Sequence, residues 1–185
     1  MPTAEPRTRY GAVAQSFHWI IAALIVAQFV LGKIAMGLPL GMEKLILLAR
    51  HKSIGMTILV LALLRLAWRA FHPAPPLPAE MTRTNRRAAQ AMHATLYVLL
   101  FAMPLTGWLM SSAKNYSVSW FGVFTWPNLI GPDDTAFRAL RETHHLLAEL
   151  LLVVAIVHML AALKHHFWDK DGVLLRMLPL WRRGT

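Results

Sequence analysis

The segment that decides the fold is HHLLAELLLVVAIVHMLAALKHHF, residues 144–167. Its apolar part, from about Leu146 to Phe167, has the ~20 residues that a helix needs to cross the hydrocarbon core of a membrane. His144 and His158 lie almost four helical turns apart, so their imidazoles project from nearly the same face, about 21 Å apart along the axis. Metal-binding side chains inside a span are costly, and this pair is therefore predicted to be functional.

Three further apolar segments are as long as this one. The four run over residues 17–38, 45–71, 88–110 and 146–167, with approximate ends. The chain is 56% hydrophobic with a mean hydropathy of +0.45, which is high for a soluble protein. Lipid offers no partners for backbone polar groups, so each segment must be helical. We predict one all-α domain over residues 1–185, an integral membrane four-helix bundle whose first segment is a retained span rather than a signal peptide.

The longest connection, over residues 111–143, carries several aromatic side chains. They are Trp120, Phe121, Phe124 and Trp126. Aromatic residues settle at the membrane–water interface, so we interpret this connection as a loop with interfacial anchors. A lid over a cofactor is the alternative.

The formal net charge is +10, and the basic residues flank the apolar segments instead of forming one patch. This distribution favours contact with lipid headgroups and argues against nucleic acid as a partner. Lys and Arg are more numerous around the two termini and the second connection than at the opposite end. The positive-inside rule then predicts that both termini are cytoplasmic.

Histidine is the plentiful transition-metal ligand in this chain, with nine His and no Cys. The lack of Cys excludes disulfides, iron–sulfur clusters and covalently attached haem. His51 matches His144 in depth, and His18 matches His158, which predicts two bis-histidine sites within the bundle. Such ligation suits haem iron that only changes oxidation state, because no axial position stays open for a substrate.

Two other histidines are read differently. His145 projects away from the face shared by His144 and His158, so it is interpreted as a neighbour. His93 is interpreted as a hydrogen-bonded helix contact, with inner-side haem ligation as the alternative.

Charged and small residues near these histidines are candidates for supporting roles. Arg50, Lys52, Arg65 and Arg69 are candidate partners of haem propionates, with snorkelling to the headgroups as the alternative. Gly55 is compatible with the approach of a flat macrocycle or with close helix packing. Glu149, an acid deep in a span, is predicted to be a buried carboxyl that is protonated or paired.

Several short motifs resemble the bacterial cytochrome b561 family. They are Phe17-His18-Trp19, His51-Lys52-Ser53-Ile54-Gly55, Thr143-His144 followed by His158, Lys164-His165-His166-Phe167-Trp168, Leu174-Leu175-Arg176-Met177-Leu178-Pro179, and Pro104 with Gly107. The resemblance extends from about Tyr10 to Arg183. It implies a multi-pass protein of the bacterial inner membrane with two b-type haems, a cytoplasmic one on His18 and His158 and a periplasmic one on His51 and His144.

Within that family the chain looks like the superoxide oxidases. This likeness implies a superoxide:ubiquinone oxidoreductase that takes electrons from a small anionic donor at the periplasmic face and reduces ubiquinone, with His165 near the quinone. The chain departs from the family pattern at His145 and in the loop before the fourth span, both on the donor side. Two alternatives stay open. One is an electron-transfer subunit docked to a redox partner protein, a dehydrogenase or hydrogenase, and the other is a metal or proton transporter.

Overall fold

The computed structural model describes residues 9–78 and 81–179. Four long helices follow one another, with a small hairpin between the third and the fourth. They are α1 (Ala12–Gly37), α2 (Met42–Phe71), α3 (Arg83–Ala113), β1 (Val118–Trp120), β2 (Phe124–Trp126) and α4 (Asp134–Lys164). A π-helical turn (His165–Asp169) and a 3₁₀ turn (Leu174–Arg176) follow α4. Arg7, Arg182 and Arg183, which add to the charge asymmetry, lie outside the described residues.

All four helices are long and apolar enough to cross a membrane. Many of their large apolar side chains lie on the outside of the bundle, Val26, Leu63, Val98 and Val153 among them. A surface of this kind is stable against lipid and costly against water. The predicted all-α membrane bundle is therefore confirmed.

The helices extend beyond the apolar segments that predict them. The fourth begins at Asp134 instead of about Leu146, and its N-cap is Asp133, whose Oδ1 accepts from the backbone N–H groups of Thr135 and Ala136 at 2.8 and 2.9 Å. The third begins at Arg83, where the Thr82 hydroxyl accepts from the Asn85 N–H. Both caps satisfy backbone donors of polar first turns, which need not lie in hydrocarbon.

The antiparallel helices define two ends of the bundle. We call the end that carries Tyr10 and Leu178 the termini end, and the other the hairpin end. The closest backbone packing joins α1 to α2, α2 to α3 and α3 to α4. A small apolar core of Ile21, Ala62 and Leu100 lies among the first three helices.

The aromatic connection folds into a two-stranded antiparallel hairpin that docks on α2. The Ser53 hydroxyl donates to the Ser119 carbonyl at 2.9 Å and accepts from the Phe121 N–H at 3.1 Å. The Trp120 indole donates to the Thr57 hydroxyl at 3.0 Å. Val118 is buried against α2. The connection is thus packed against α2, while Phe121 remains exposed and its role as an interfacial anchor stays a prediction.

At the termini end, the segment after α4 returns to the start of α1. The Tyr10 N–H donates to the Arg176 carbonyl at 3.2 Å, and the Trp19 indole donates to the Met177 carbonyl at 2.9 Å. Arg176 itself donates to the Pro76 carbonyl at 2.6 Å. These bonds join the first helix, the Pro-rich link and the last segment.

Candidate functional site

Two pairs of imidazoles face each other, one pair toward each end of the bundle. The ring centres of His51 and His144 are 6.3 Å apart, and those of His18 and His158 are also 6.3 Å apart. The rings are inclined at 73° and 70° respectively. The structure thus brings together the histidines that the sequence paired by depth.

At the hairpin end, neighbouring groups orient the rings. The Nδ1 of His144 is 3.1 Å from the Thr106 hydroxyl, which donates onward to the Met103 carbonyl at 2.9 Å. With its proton directed to Met103, the Thr106 hydroxyl is able to accept from Nδ1–H of His144, in the tautomer that leaves Nε2 free. The Nδ1 of His51 is buried without a hydrogen-bond partner among the described residues, so no hydrogen bond fixes the tautomer of this ring.

Two glycines lie against these rings. A Cβ on Gly107 would lie 3.2 Å from the Cε1 of His144, and a Cβ on Gly32 would lie 3.5 Å from the Cε1 of His51. The first distance is tighter than ordinary van der Waals contact, so a side chain at Gly107 would displace the imidazole. Gly107 therefore leaves room for the His144 ring, whereas the 3.5 Å distance at Gly32 is ordinary van der Waals contact that a methyl group would fit.

Three imidazoles meet at the termini end. The ring centre of His93 is 5.6 Å from that of His158, closer than the ring centre of His18. The Nη1 of Arg65 lies 3.4 Å from the Nδ1 of His18, a long contact. His93, the alternative ligand candidate of the sequence analysis, therefore lies beside the predicted pair of His18 and His158.

The spacing of the two 6.3 Å pairs fits an iron atom between each pair. A metal bound at opposite positions to two imidazoles, with metal–nitrogen bonds of about 2.0 Å, holds the ring centres about 6.3 Å apart. No hydrogen bond joins the two rings of either pair in the described part of the chain, where the Nδ1 of His144 faces Thr106 and the Nδ1 of His18 faces Arg65. Spacing, ring orientation and apolar surroundings fit a bis-histidine haem.

The basic candidates for propionate binding differ in their surroundings. The guanidinium groups of Arg65 and Arg69 lie 5.7 and 5.6 Å from the ring centre of Tyr97, close to the histidines of the termini end. The Lys52 ammonium donates to the Ser117 carbonyl at 2.7 Å, so it anchors the hairpin. Arg50 is exposed at the hairpin end.

Two predictions about neighbouring residues need comment. Glu149 was predicted to be buried, and that prediction is wrong, because its side chain is exposed on the outer face of α4. Helical spacing gave its angle from His144 but not the side on which the neighbouring helices lie. A Cβ on Gly55 would meet the Nε2 of Gln28 at 3.0 Å, which favours close packing of α1 on α2 over macrocycle contact.

His145 and His165 lie apart from the paired rings. His145 is exposed, next to the half-buried His144. His165 is in the π-helical turn after α4 and contacts two aspartates. Sequence reasoning missed Gly32, Thr106 and the aspartates, because their contacts depend on how the helices rotate and how the chain turns.

Four spanning helices around two facing histidine pairs define the class of integral membrane cytochromes that hold b-type haem. The family model for prokaryotic cytochrome b561 matches residues 9–180. Cytochrome b561 homolog 2 of Escherichia coli (strain K12) is 37% identical over 174 residues, 92% of this chain and 91% of that protein. The chain belongs to the prokaryotic cytochrome b561 family and is a membrane electron-transfer protein.

Two other relatives cover nearly the whole chain. The probable superoxide oxidase CybB of Yersinia pestis is 28% identical over 92% of this chain and 96% of its own length. Cytochrome b562 of Cereibacter sphaeroides is 26% identical over 95% of this chain and 98% of its own length. Family membership implies b-type haem and favours electron transfer over the histidine-based transporter.

Proposed function

We propose that this protein is a di-haem cytochrome that transfers electrons across the bacterial inner membrane from a periplasmic one-electron donor to ubiquinone. The observation that carries the proposal is the equal 6.3 Å separation of two histidine pairs at opposite ends of the bundle. His51 and His144 would hold one haem, and His18 and His158 the other. When bound, each haem iron supplies a one-electron Fe(III)/Fe(II) couple.

The side chains around each pair have separate roles in this proposal. Thr106 orients His144 through Nδ1, and Gly107 lets the His144 ring lie against α3. Arg65 and Arg69 would neutralise propionates at the termini end, where Tyr97 holds both guanidinium groups. With two histidines assigned to each haem, no ligand position at the iron would be left for the donor, which would therefore give up its electron without binding the metal.

A small anion such as superoxide is the donor that the charges support. Arg50, Arg138 and Arg141 lie on helices near the hairpin end, and cationic side chains raise the local concentration of an anion. Arg141 is partly neutralised by Glu142 at 2.8 Å, which leaves Arg50 and Arg138 as the main steering charges. The Yersinia pestis relative is named a probable superoxide oxidase, which supports the same donor.

The orientation follows from charge. The termini end carries more Lys and Arg than the hairpin end, which supports the proposal that both termini are cytoplasmic. Superoxide would then be oxidised at the periplasmic face and ubiquinone reduced near the cytoplasmic face.

A visible spectrum of the purified protein tests the cofactor assignment. Dithionite reduction is expected to give the sharp α-band of six-coordinate b-type haem, with about two haems per chain. His144→Ala is expected to remove about half of the haem, whereas His145→Ala, at the exposed neighbour, is expected to keep all of it. Unchanged haem content in His144→Ala would contradict the ligand assignment.

The donor and the acceptor are tested separately. Superoxide added to the oxidised protein is expected to reduce the haem, and added ubiquinone-1 is expected to reoxidise dithionite-reduced haem. No haem reduction by superoxide would overturn the donor, and no reoxidation by ubiquinone-1 would overturn the acceptor.

A further inference from the structure

Beyond His158, a further histidine lies on nearly the same helical face, toward the termini end. His165 lies almost two helical turns beyond His158, which places it on nearly the same face and about 10 Å further along the axis. The helix widens there into a π-turn over His165–Asp169, a geometry that is frequent at functional sites. Lys170 and Gly172 then adopt positive φ values of 51° and 70°, and the chain turns back on itself.

This reversal of the chain brings the Asp171 carboxylate into contact with His165. The Nδ1 of His165 is 2.6 Å from the Oδ2 of Asp171, and the two side chains are only 17% and 19% exposed. The Asp171 carboxylate is held in turn, because its Oδ1 accepts from the Val173 N–H at 3.1 Å. An ionised carboxylate only accepts hydrogen bonds, so the His165 Nδ1 carries a proton that it donates to Asp171. The His165 Nε2 is then the nitrogen that can exchange a proton with another molecule.

A second aspartate is already neutralised. Asp169 is 3.0 Å from the same Nδ1, but the Lys164 ammonium donates to both of its oxygens at 2.8 and 2.7 Å. The ligating atoms of His165, Asp169 and Asp171 also lie within 4.8 Å of one another, a spacing suited to a metal ion. Since Lys164 supplies the positive charge and Val173 occupies an Asp171 oxygen, the contacts favour a histidine–aspartate pair over a metal site.

We propose that Asp171 is a positioning residue that holds His165 ready to deliver protons to the quinone. This inference rests on the proposed function, because it requires quinone reduction near the termini end. Quinone becomes quinol by gaining two electrons and two protons. The electrons would be supplied singly at the haem site of that end. Each proton would come from Nε2–H of the His165 imidazolium, which keeps its Nδ1 proton toward Asp171 and then takes a new Nε2 proton from the cytoplasmic solvent. Asp171 keeps the imidazole in this orientation throughout.

The test compares acceptors that do and do not need protons. Purified holoprotein is reduced with dithionite, and haem reoxidation is followed after mixing with ubiquinone-1 or with ferricyanide, which takes an electron alone. Asp171→Asn is expected to slow reoxidation by ubiquinone-1 at least about tenfold and to leave the ferricyanide rate and the reduced spectrum unchanged. Asp134→Asn, an exposed aspartate at the hairpin end, is the matched control and should behave as the unmodified protein.

The outcomes separate this inference from the proposed function. If ubiquinone-1 fails to reoxidise the unmodified protein, quinone is not the acceptor and the proposed function is wrong. If it reoxidises the unmodified protein and Asp171→Asn equally fast, or if the variant slows ferricyanide to the same extent, the positioning role is wrong. Loss of the ubiquinone-1 rate in EDTA with recovery on adding zinc would replace the pair with a metal site.

Discussion

His18, His93 and His158 bring three imidazoles to the termini end, although an iron with two axial positions needs only two of them. The His18–His158 spacing equals that of the hairpin-end pair, whereas His93 lies 5.6 Å from His158 and is too close for an iron between the rings. We therefore expect His18→Ala to lose about half of the haem and His93→Ala to retain nearly all of it. Haem per protein, measured as the pyridine haemochrome, decides between them.

The opposite pattern of haem loss would identify a different ligand pair at the termini end. If His93→Ala lost a haem and His18→Ala kept both, the ligand pair at the termini end would be His93 and His158. The second reading of His93 from the sequence would then be correct.

The hydrogen bond between Thr106 and His144 gives a second prediction that a single substitution can test. Thr106→Val preserves the shape of the side chain and removes the hydrogen bond to His144 Nδ1. Partners of this kind typically contribute a factor of about 10 to 100 in metal affinity, so the variant is expected to release the hairpin-end haem about tenfold faster. Transfer of haem to apomyoglobin measures the rate.

Thr143→Val is the matched control for that experiment. The Thr143 hydroxyl donates to the Ala139 carbonyl and is exposed. Equal release rates in the two variants would mean that the Thr106 hydrogen bond does not hold the ligand in place.

Among the structural elements, the hairpin should stabilise α2 through Ser53. Its buried hydroxyl both donates to Ser119 and accepts from Phe121, so Ser53→Ala leaves two hairpin backbone groups without their partner. A loss of about 1–3 kcal/mol in the free energy of unfolding is expected. Thermal unfolding in detergent micelles measures it, with Ser16→Ala, at an exposed position of α1, as the control. Equal stability of the two variants would mean that the hairpin docks without help from Ser53.

A comparison of the elements shows which structural features could be predicted from the sequence. Apolar length predicts the four spans, and helical period predicts that His144 and His158 share a face, because both depend on one segment alone. The room that Gly107 leaves for His144, the hairpin contacts and the outward position of Glu149 depend on how separate segments rotate against each other. The polar first turns of α4 were missed because hydropathy stops at the edge of the lipid, whereas a capped helix continues.

For the whole molecule, the proposed orientation makes a prediction about reporter fusions. A fluorescent protein fused after Thr185 is expected to fluoresce, because that domain matures in the cytoplasm but not when exported in unfolded form. Alkaline phosphatase inserted at Gly122, in the exposed hairpin turn, is expected to be active, because it needs the periplasm. A dark C-terminal fusion together with an inactive hairpin insertion would reverse the orientation and place the hairpin end in the cytoplasm.

The return of the last segment to α1 also bears on biogenesis. The Arg176 carbonyl accepts hydrogen bonds from Tyr10 and from the Gln15 side chain, although Gln15 precedes it by 161 residues. A nascent chain still on the ribosome has inserted its early spans but cannot yet make these bonds. The surroundings of His18 are therefore completed only once the segment around Met177 has left the ribosome, so the haem proposed at His18 is expected to be loaded after that point.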